Sequence, residues 1–459
     1  MRDTSRRRFL RHLACGATAA ALPGSVGRAL CPGSRPVTEK PNFLFILIDD
    51  LGWMDLGYYG STFHETPIID QMAREGARFT DAYSAAPVCS PTRASIMTGK
   101  YPARLHLTDF IPGHRRPWAK LTVPKFRRQL PVEEMTIAKA LQTTGYVSTT
   151  IGKWHLGGRR PTEYGFDQFV FSNQDDNDKR VGRFTGEALR FMERYKDRPF
   201  FLFLSHDTVH IPLEANEELI AKYKAKLNPG HVQRNAVYAA MIEALDDSVG
   251  RLLKKLDELE IADRTVVIFT SDNGGLIQKY TGSGPVVTSN APLRSEKGTL
   301  YEGGIRVPLI VRWPRVVKPD SVCNVPVSSV DFYPTILDLA GVEGASGHSF
   351  DGTSLVPLLK QTGQIERDAI YWHYPHYHHT APCGAIRQGV FKLIEFYEDG
   401  RLELYNLEAD IGETNNLADK EPTKAAALRK KLSDWRGAVD AQMPTLNPNH
   451  DPAKAHEWG

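Results

Sequence analysis

The sequence predicts an α/β protein whose centre is a doubly wound, mainly parallel sheet, followed by a smaller α+β subdomain. Continuous apolar runs recur at 42–48, 199–206 and 265–271, as in strands that are buried on both faces. Stretches with helical spacing separate these runs, which is typical of strand–helix–strand units. Polar residues follow each run directly, at the strand ends where open parallel sheets place their ligands.

The remaining elements of the main sheet domain are predicted from the period of their apolar residues. Helical spacing predicts helices at 66–83, 92–98, 134–144, 184–195, 232–260 and 331–340. Two further strands are predicted at 146–151 and 309–313. The segment 276–291 is rich in Gly, Ser, Thr and Pro and is typical of a surface loop.

The pattern changes after about residue 365. Short strand candidates separated by turn residues predict a small antiparallel sheet, with strands at 369–374, 384–387, 391–396 and 402–404. A helix is predicted at about 421–440. We therefore divide the chain into three parts, which are an N-terminal leader and linker at 1–38, a main domain at 39–364 and a C-terminal subdomain at 365–459.

Composition limits the possible functions. The 459 residues carry a formal net charge of only +3, so no basic field of the size that nucleic acid requires is expected. A hydrophobic content of 41% in patterned segments indicates a globular chain. The five cysteines do not form a disulfide framework, and spacing leaves open whether Cys323 and Cys383 pair.

The N-terminus has the features of an export signal. The stretch Ser5-Arg6-Arg7-Arg8-Phe9-Leu10 precedes an alanine-rich apolar run at 13–22 and resembles a twin-arginine signal. The run is shorter than the stretch of about 20 apolar residues that a membrane-spanning helix needs. The alternative is a basic disordered tail, and a lipid attached to Cys15 is left open. We expect an exported protein, periplasmic or extracellular, that uses the twin-arginine export machinery and has no transmembrane helix in its mature form.

Oxygen-bearing side chains at two strand ends predict a metal site. Asp49 and Asp50 follow the first apolar run, and Asp272 and Asn273 follow the run at 265–271. Adjacent buried carboxylates are costly unless a cation neutralises them. An all-oxygen set suits Ca²⁺, or less well Mg²⁺, and the lack of a cysteine or histidine cluster argues against zinc. The alternative role of the aspartate pair, capping the next helix, explains only one of the two residues.

The stretch at 87–104 places a nucleophilic side chain at the start of a short helical run. Arg93 follows Cys89 by four residues, so both lie on one helix face and suit attack on an anion. The alternative is a buried small hydrophobe, as most free cysteines are. The neighbouring Ser90, Pro91 and Thr92 are poor core residues and argue against it.

Cationic and imidazole groups follow the later strands. Lys153 and His155 alternate after the strand at 146–151, and His210 follows the run at 199–206. Lys297 lies in a Lys-Gly-Thr turn ahead of Tyr-Glu-Gly-Gly-Ile-Arg-Val-Pro. Each could be an ordinary solvated or packed side chain. At strand ends, Lys153 and His155 become a plausible clamp for an anion.

These motifs together resemble the type I sulfatases of the alkaline phosphatase superfamily. Cys-Ser-Pro-Thr-Arg followed by Ala-Ser-Ile-Met-Thr-Gly is similar to the signature in which the cysteine is oxidised to formylglycine by a formylglycine-generating or sulfatase-maturating enzyme. Six separated motifs between 49 and 308 occur in the family's order. The resemblance extends to bacterial carbohydrate sulfatases of the arylsulfatase and N-acetylgalactosamine-sulfatase kind.

The resemblance implies an alkaline-phosphatase-like α/β fold and hydrolysis of a sulfate ester. Calcium would be held by Asp49, Asp50, Asp272, Asn273 and residue 89, whose formylglycine hydrate would attack sulfur. The implied catalytic residues are Cys89, Arg93, Lys153, His155, His210 and Lys297. Arg93 would stabilise the hydrate, Asp272 would help to deprotonate it, and Lys153 and Lys297 would bind sulfate. His210 would protonate the leaving oxygen, and His155 would take a proton as sulfate departs.

The substrate is expected to be a sulfated polysaccharide or glycosaminoglycan fragment. We expect His106, Asp109, His373 and His376 to line its pocket, although the histidine run could equally be a surface loop or an adventitious metal tract. Two alternatives are kept. One is a phosphomonoesterase or phosphonate hydrolase of the same superfamily, and the other is a noncatalytic binder of sulfated glycans.

Overall fold

The computed structural model describes residues 40–171, 181–279, 281–282, 284–342 and 348–459. The predicted leader at 1–38, with Cys15, lies outside the described residues. The strands are β1 Asn42–Ile48, β2 Ala77–Phe79, β3 Ala82–Tyr83, β4 Leu121–Thr122, β5 Val147–Gly152, β6 Gln168–Val170, β7 Phe200–His206, β8 Thr265–Ser271, β9 Leu309–Arg312, β10 Ser321–Cys323, β11 Val327–Ser328, β12 Ile370–Tyr374, β13 Cys383–Gln388, β14 Phe391–Phe396, β15 Leu402–Asn406 and β16 Thr445–Leu446.

The α-helices of the described residues alternate with these strands. They are α1 Pro67–Arg74, α2 Cys89–Thr98, α3 Pro102–Leu105, α4 Ile137–Gln142, α5 Val181–Tyr195, α6 Glu217–Lys226, α7 Ala236–Glu258, α8 Glu302–Ile305, α9 Phe332–Ala340, α10 Val356–Leu359 and α11 Pro422–Ala438. Short 3-10 helices lie at Gly57–Tyr59, Pro161–Tyr164, Ala262–Arg264 and Ser329–Asp331. None of the described helices is both long and apolar enough to cross a bilayer.

The central sheet has the strand order β10-β2-β9-β8-β1-β7-β5-β6. Pairing is parallel except where β9 runs antiparallel to β8 and β2. Strand β1 lies between β8 and β7, with Ile48 opposite Ser271 on one side and His206 on the other. The predicted doubly wound, mainly parallel sheet is confirmed, and the three long apolar runs are its central strands.

Both faces of the sheet are covered by helices. Phe43, Phe45 and Leu47 of β1 pack into a core with α4 and α9, whereas the alternate residues of β1 pack into a second core with α5 and α7. Side chains of a strand point alternately to opposite faces, so a strand covered on both faces must be apolar throughout. This burial explains the unbroken apolar run.

The helix predicted over 66–83 is wrong beyond α1. The chain turns at Gly76 and forms β2, which pairs with β9 and β10, and then β3. A Cβ at Gly76 would lie 2.3 Å from the carbonyl oxygen of Val311, so the chain can approach β9 only with glycine here. Strands of two or three residues are too short to produce a periodic pattern that distinguishes them from a helix.

The predicted C-terminal antiparallel sheet is confirmed as β12-β13-β14-β15, with α11 against it. Its other face packs on residues that precede it, among them Tyr83, Leu300 and Ile305. Residues Glu39–Gly459 form one compact unit, and the domain boundary at 364/365 stays a prediction. Cys323 and Cys383 are both free cysteines.

Candidate active site

The ends of β1 and β8 bring the four oxygen-bearing residues together. The two strands are parallel neighbours in register, so Asp49 and Asp50 leave the sheet beside Asp272 and Asn273. The side-chain amide of Asn273 donates to Asp50 Oδ1 at 2.8 Å, and the backbone N–H of Asp50 donates to Asp272 Oδ1 at 3.3 Å. Asp50 has a positive φ of 65°, which turns the chain sharply at the strand end.

This acidic group fits a hard cation. All four residues are buried, and Asp49 Oδ1 and Asn273 Oδ1 accept no hydrogen bond from the described residues. Ligand atoms of Asp49, Cys89 and Asp272 lie within 4.8 Å of one another, as do those of Asp49, Asp50 and His210. Buried oxygens without donors, gathered at this spacing, are the chemistry that a calcium-type site requires.

Cys89 is the first residue of α2, three residues earlier than the predicted start of this helix, and is buried. Its Sγ lies 3.2 Å from His155 Nδ1. Burial alone would raise the pKa of the thiol, but the positive charges around it, that of Lys153 foremost, outweigh burial and hold that pKa well below the usual value. Position 89 therefore favours a negatively charged or electron-rich group.

Arg93 lies one turn into α2 and holds the carboxylates in place. Its Nε donates to Asp272 Oδ2 at 2.8 Å, and its Nη1 donates to the carbonyl of Lys153 at 2.7 Å and to Ser205 Oγ at 2.5 Å. Nη2 lies 3.5 Å from Asp49 Oδ2. The guanidinium thus connects three strand ends, and its hydrogen bonds go to these groups rather than to Cys89.

Two lysines face the carboxylates. Lys153 forms a short ion pair with Asp49, and Lys297 Nζ lies 2.6 Å from Asp50 Oδ1. Burial would raise the pKa of both aspartates, but the facing cations, with Lys153 foremost for Asp49 and Lys297 for Asp50, lower them instead. Burial and the charge of Asp49 raise the pKa of Asp272 to about 7. The site therefore combines strongly ionised carboxylates with one that holds a proton more readily.

Two histidines complete the site. His155 has a positive φ of 55°, and its Nε2 lies 2.6 Å from the carbonyl of Ile111. His210 Nε2 lies 3.7 Å from Asp50 Oδ2, and its Nδ1 lies 2.5 Å from the carbonyl of Ile211. Burial, followed by the charge of Lys297, lowers the pKa of His210.

A cavity of about 350 Å³ opens on these groups. Five of the predicted catalytic residues line it, which are Cys89, Lys153, His155, His210 and Lys297. Four apolar side chains and a further histidine also line it, which are Phe110, Ile111, Ile211, Leu276 and His378. None of these last five residues is predicted from the sequence to line the pocket. No sequence pattern distinguishes an apolar loop residue that lines a pocket from one that does not. The histidine run indicated the segment that contains His378, but not which of its histidines lines the cavity.

The four predicted substrate residues are held by bonds within the fold. His106 Nε2 bonds the carbonyl of Asp440 at 2.8 Å, and His373 bonds Tyr397 Oη and the carbonyl of Gln442. None of the four, which are His106, Asp109, His373 and His376, lines the cavity at Cys89.

Asp109 and His376 lie deeper in the fold. The phenol of Tyr374 donates to Asp109 Oδ1 at 2.8 Å, and His376 Nε2 lies 2.8 Å from Thr108 Oγ1. His376 lines a neighbouring cleft. The substrate role of all four residues stays a prediction.

The family is shown by comparison with known proteins. The model of the sulfatase family matches residues 41–342, and that of the C-terminal part of N-sulphoglucosamine sulphohydrolase matches 295–437. The chain belongs to the sulfatase family, whose members are sulfuric ester hydrolases, and its fold is the alkaline-phosphatase-like α/β architecture of that family.

Individual relatives cover most of the chain. It is 32% identical over 505 residues to a sulfatase of Formosa agariphila, covering 87% of this chain and 89% of the relative. Human N-acetylgalactosamine-6-sulfatase is 34% identical over 379 residues, covering 74% of this chain and 70% of the relative. The solved structure of Ps i-CgsB in complex with k-i-k-neocarrahexaose has a TM-score of 0.75 and 28% identity and covers 91% of this chain and 96% of that chain.

Proposed function

We propose that the protein removes sulfate from a sulfated sugar within a polysaccharide or glycosaminoglycan fragment, using formylglycine made from Cys89 and a calcium ion. The observation that carries this proposal is the convergence on Cys89 of three carboxylates, two lysines, Arg93 and two histidines within one buried site. The relatives named for N-acetylgalactosamine 6-sulfate and for a neocarrahexaose complex support the carbohydrate class.

Asp49, Asp50, Asp272, Asn273 and residue 89 would hold the calcium ion, which when bound would stabilise negative charge on the sulfate oxygens. Formylglycine would supply a hydroxyl nucleophile together with a second hydroxyl through which the aldehyde is restored. With the carboxylates neutralised by a divalent cation, Lys153 and Lys297 can turn from Asp49 and Asp50 to the sulfate. Asp272 would help to take the proton of the attacking hydroxyl.

The hydrogen bonds of His155 support its proposed role as a base. A backbone carbonyl can only accept, so the contact with Ile111 places the ring proton on Nε2. Nδ1, which faces position 89 at 3.2 Å, is then the acceptor. His155 would receive the proton of the second hydroxyl as sulfate leaves. His210, whose Nδ1 proton goes to the carbonyl of Ile211, would act in its imidazolium form and donate the Nε2 proton to the departing sugar oxygen.

The export of the protein is part of the proposal. The arginine-rich leader supports passage through the twin-arginine machinery to the periplasm or the medium, where sulfated polysaccharides are met. A formylglycine-generating or sulfatase-maturating enzyme would act on Cys89 before export. The N-terminal sequence of the secreted protein shows whether the signal has been cleaved and so tests the proposed localisation.

The function is tested by measuring sulfate release from position-defined sulfated mono- and disaccharides, with the matching phosphate esters in parallel. We expect hydrolysis of the sulfate esters, and faster turnover of phosphate would instead support a phosphohydrolase. The mass of the tryptic peptide that spans residue 89 reports conversion to formylglycine. Unconverted cysteine in native material that binds sulfated glycans without hydrolysis would support the noncatalytic binder.

Replacing the nucleophile gives the sharpest single test. We expect Cys89→Ala to abolish turnover of every sulfate ester while the melting temperature and circular dichroism spectrum stay near those of the parent, because alanine fits a buried position that holds a small side chain. Retained turnover in this variant would show that residue 89 is not the nucleophile.

A further inference from the structure

A second cavity, here called the basic cleft, adjoins the catalytic cavity. It has a volume of about 570 Å³ and is formed by the segment 112–128, His376 and the C-terminal segment at Asn447 and Asn449. This size lies within the range of ligand sites. No residue of the proposed catalytic machinery lines it.

Residues 111–114 form part of the wall between the two cavities. Ile111 lines the catalytic cavity, and the next residue, Pro112, lines the basic cleft. On the same wall the ring of His114, which lines the cleft, lies 5.2 Å from that of His378, which lines the catalytic cavity. The two cavities are therefore immediate neighbours, as two subsites for one extended substrate must be.

The charge of the cleft has one sign. Its charged lining residues are all basic, with no aspartate or glutamate among them, and are Arg115, Arg116, Lys125 and Arg128. Glu398, which does not line the cleft, lies close enough to Arg116 to offset part of its charge. The whole chain has a net charge of only +3, so this is a local concentration of positive charge that attracts anions.

The cleft is also held in shape. The guanidinium of Arg116 lies 3.9 Å from the ring centre of Trp458, and its Nε is buried without a hydrogen-bond partner among the described residues. The side-chain amide of Asn447 donates to the carbonyls of Pro117 and Ala119, and β16 pairs with β4. Arg116 thus lines the cleft with a guanidinium that is held against Trp458, and a guanidinium fixed in this way suits sulfate or carboxylate.

We propose that the basic cleft binds the anionic group, sulfate or carboxylate, of the sugar next to the one that loses its sulfate. This inference rests on the proposed function and narrows it, since the preferred substrate is then a chain with at least two charged sugars. Phe126, which lines the cleft, adds an aromatic face on which a sugar ring can pack.

The test compares two triple variants of equal charge change. The cleft variant carries Arg115→Gln, Lys125→Gln and Arg128→Gln, all at exposed positions where packing is not disturbed. The control variant carries Lys224→Gln, Lys318→Gln and Lys360→Gln, which are exposed and outside the cleft.

Binding is measured by titration calorimetry on a Cys89→Ala background, with a sulfated dextran tetrasaccharide, a galacturonate tetramer and neutral maltotetraose. Both charged probes should bind more tightly than the neutral one, and the tighter of the two identifies the group that is recognised. The cleft variant should lose at least about tenfold in affinity, whereas the control variant should stay within about twofold of the parent. Equal affinity of the cleft and control variants, or equal binding of the neutral probe, overturns the proposal.

Turnover of a small aryl sulfate by the same variants with Cys89 intact separates the two hypotheses. We expect the cleft variant to hydrolyse it at the parent's rate, because a small ester does not reach the cleft. A parent enzyme without any sulfate ester turnover would contradict the proposed function, and the binding measurement would still decide the role of the cleft.

Discussion

A hydrogen bond to one backbone carbonyl determines which ring nitrogen of the neutral His155 carries the proton. Ile111 accepts the Nε2 proton, so the nitrogen that faces residue 89 is the one able to take a proton. The motif Lys-x-His predicted that both side chains lie near the nucleophile, and the structure brings them there. The tautomer could not be predicted, because it depends on a carbonyl 44 residues away in the chain.

Replacing His155 should affect the second half of the reaction more than the first. We expect His155→Ala to release the sugar alcohol in a rapid burst and sulfate about 10²- to 10⁴-fold more slowly than the parent enzyme, since the proton acceptor for sulfate departure is missing. Rapid-quench measurement of both products checks this. Lys318→Ala, at an exposed position, serves as the control, and equal slowing of both products would contradict the assignment.

Arg93 is predicted to be a stability residue as well as a site residue. Its buried guanidinium pairs with Asp272 and lies near Asp49, which Lys153 also neutralises, so Arg93→Met leaves the buried Asp272 without its cation. We expect the free energy of unfolding of the metal-free protein to fall by about 3–5 kcal/mol in urea titrations. Arg159→Met, which removes a solvent-exposed ion pair with Glu163, should leave the unfolding midpoint unchanged, and a similar shift in both variants would refute the argument.

At the scale of elements, long buried strands were predictable and short ones were not. The run at 42–48 coincides with β1 because six consecutive apolar residues followed by polar ones are typical of a strand that is buried on both faces. In contrast β2, with three residues, exists only because β9 and β10 pair with it. The C-terminal strands were predicted to within two residues because turn residues separate them.

The histidine-rich segment 373–379, which begins in β12, suggested a ligand pocket from its sequence, but its imidazoles are mostly packed in the fold. His373 is buried between Tyr397 and the carbonyl of Gln442. Burial lowers the pKa of His373 to about 4, so the folded protein keeps this ring neutral at a pH where the unfolded chain protonates it. Its stabilising contribution is present above the unfolded pKa of about 6.5 and is lost as the pH falls toward the folded pKa.

Acid should therefore weaken the fold through His373. Between pH 7.5 and pH 5, this one group should cost about 2 kcal/mol of unfolding free energy. His373→Gln, whose amide can replace both hydrogen bonds, should show a smaller loss over that range in urea titrations. His450→Gln, at an exposed histidine, is the control, and identical pH profiles of parent and His373→Gln would contradict the prediction.

At the scale of the whole molecule, a buried ion cluster joins the C-terminal sheet to the region of the catalytic site. Lys392 on β14 is fully buried and lies 2.9 Å from Glu302 Oε1 on α8 and 2.9 Å from Glu413 Oε1. Arg306, at the end of α8, also pairs with Glu302. The short helix α8 follows Lys297 by a few residues, so the cluster holds the segment that carries this lysine.

Breaking the cluster should unfold more than one region. We expect Lys392→Met to lower the unfolding free energy by about 3–5 kcal/mol, because Glu302 and Glu413 then stay buried without their shared cation. Hydrogen exchange should rise both in β13–β14 and around Lys297. The exposed Lys431→Met, which removes a surface pair with Asp368, is the control. Exchange confined to β13–β14 would show that the two regions are not coupled.

The sequence by itself determined the class of the sheet, and it predicted the charged and imidazole residues that the structure gathers around Cys89. Motifs such as Asp49-Asp50 and Cys89 with Arg93 combine chemistry and spacing that few folds produce by chance, and strand burial appears directly in apolar runs. Only the tertiary structure decided which side chains line the cavity at Cys89. Phe110 and His378 meet there from loops distant in the chain, and no periodic pattern in a sequence records such contacts.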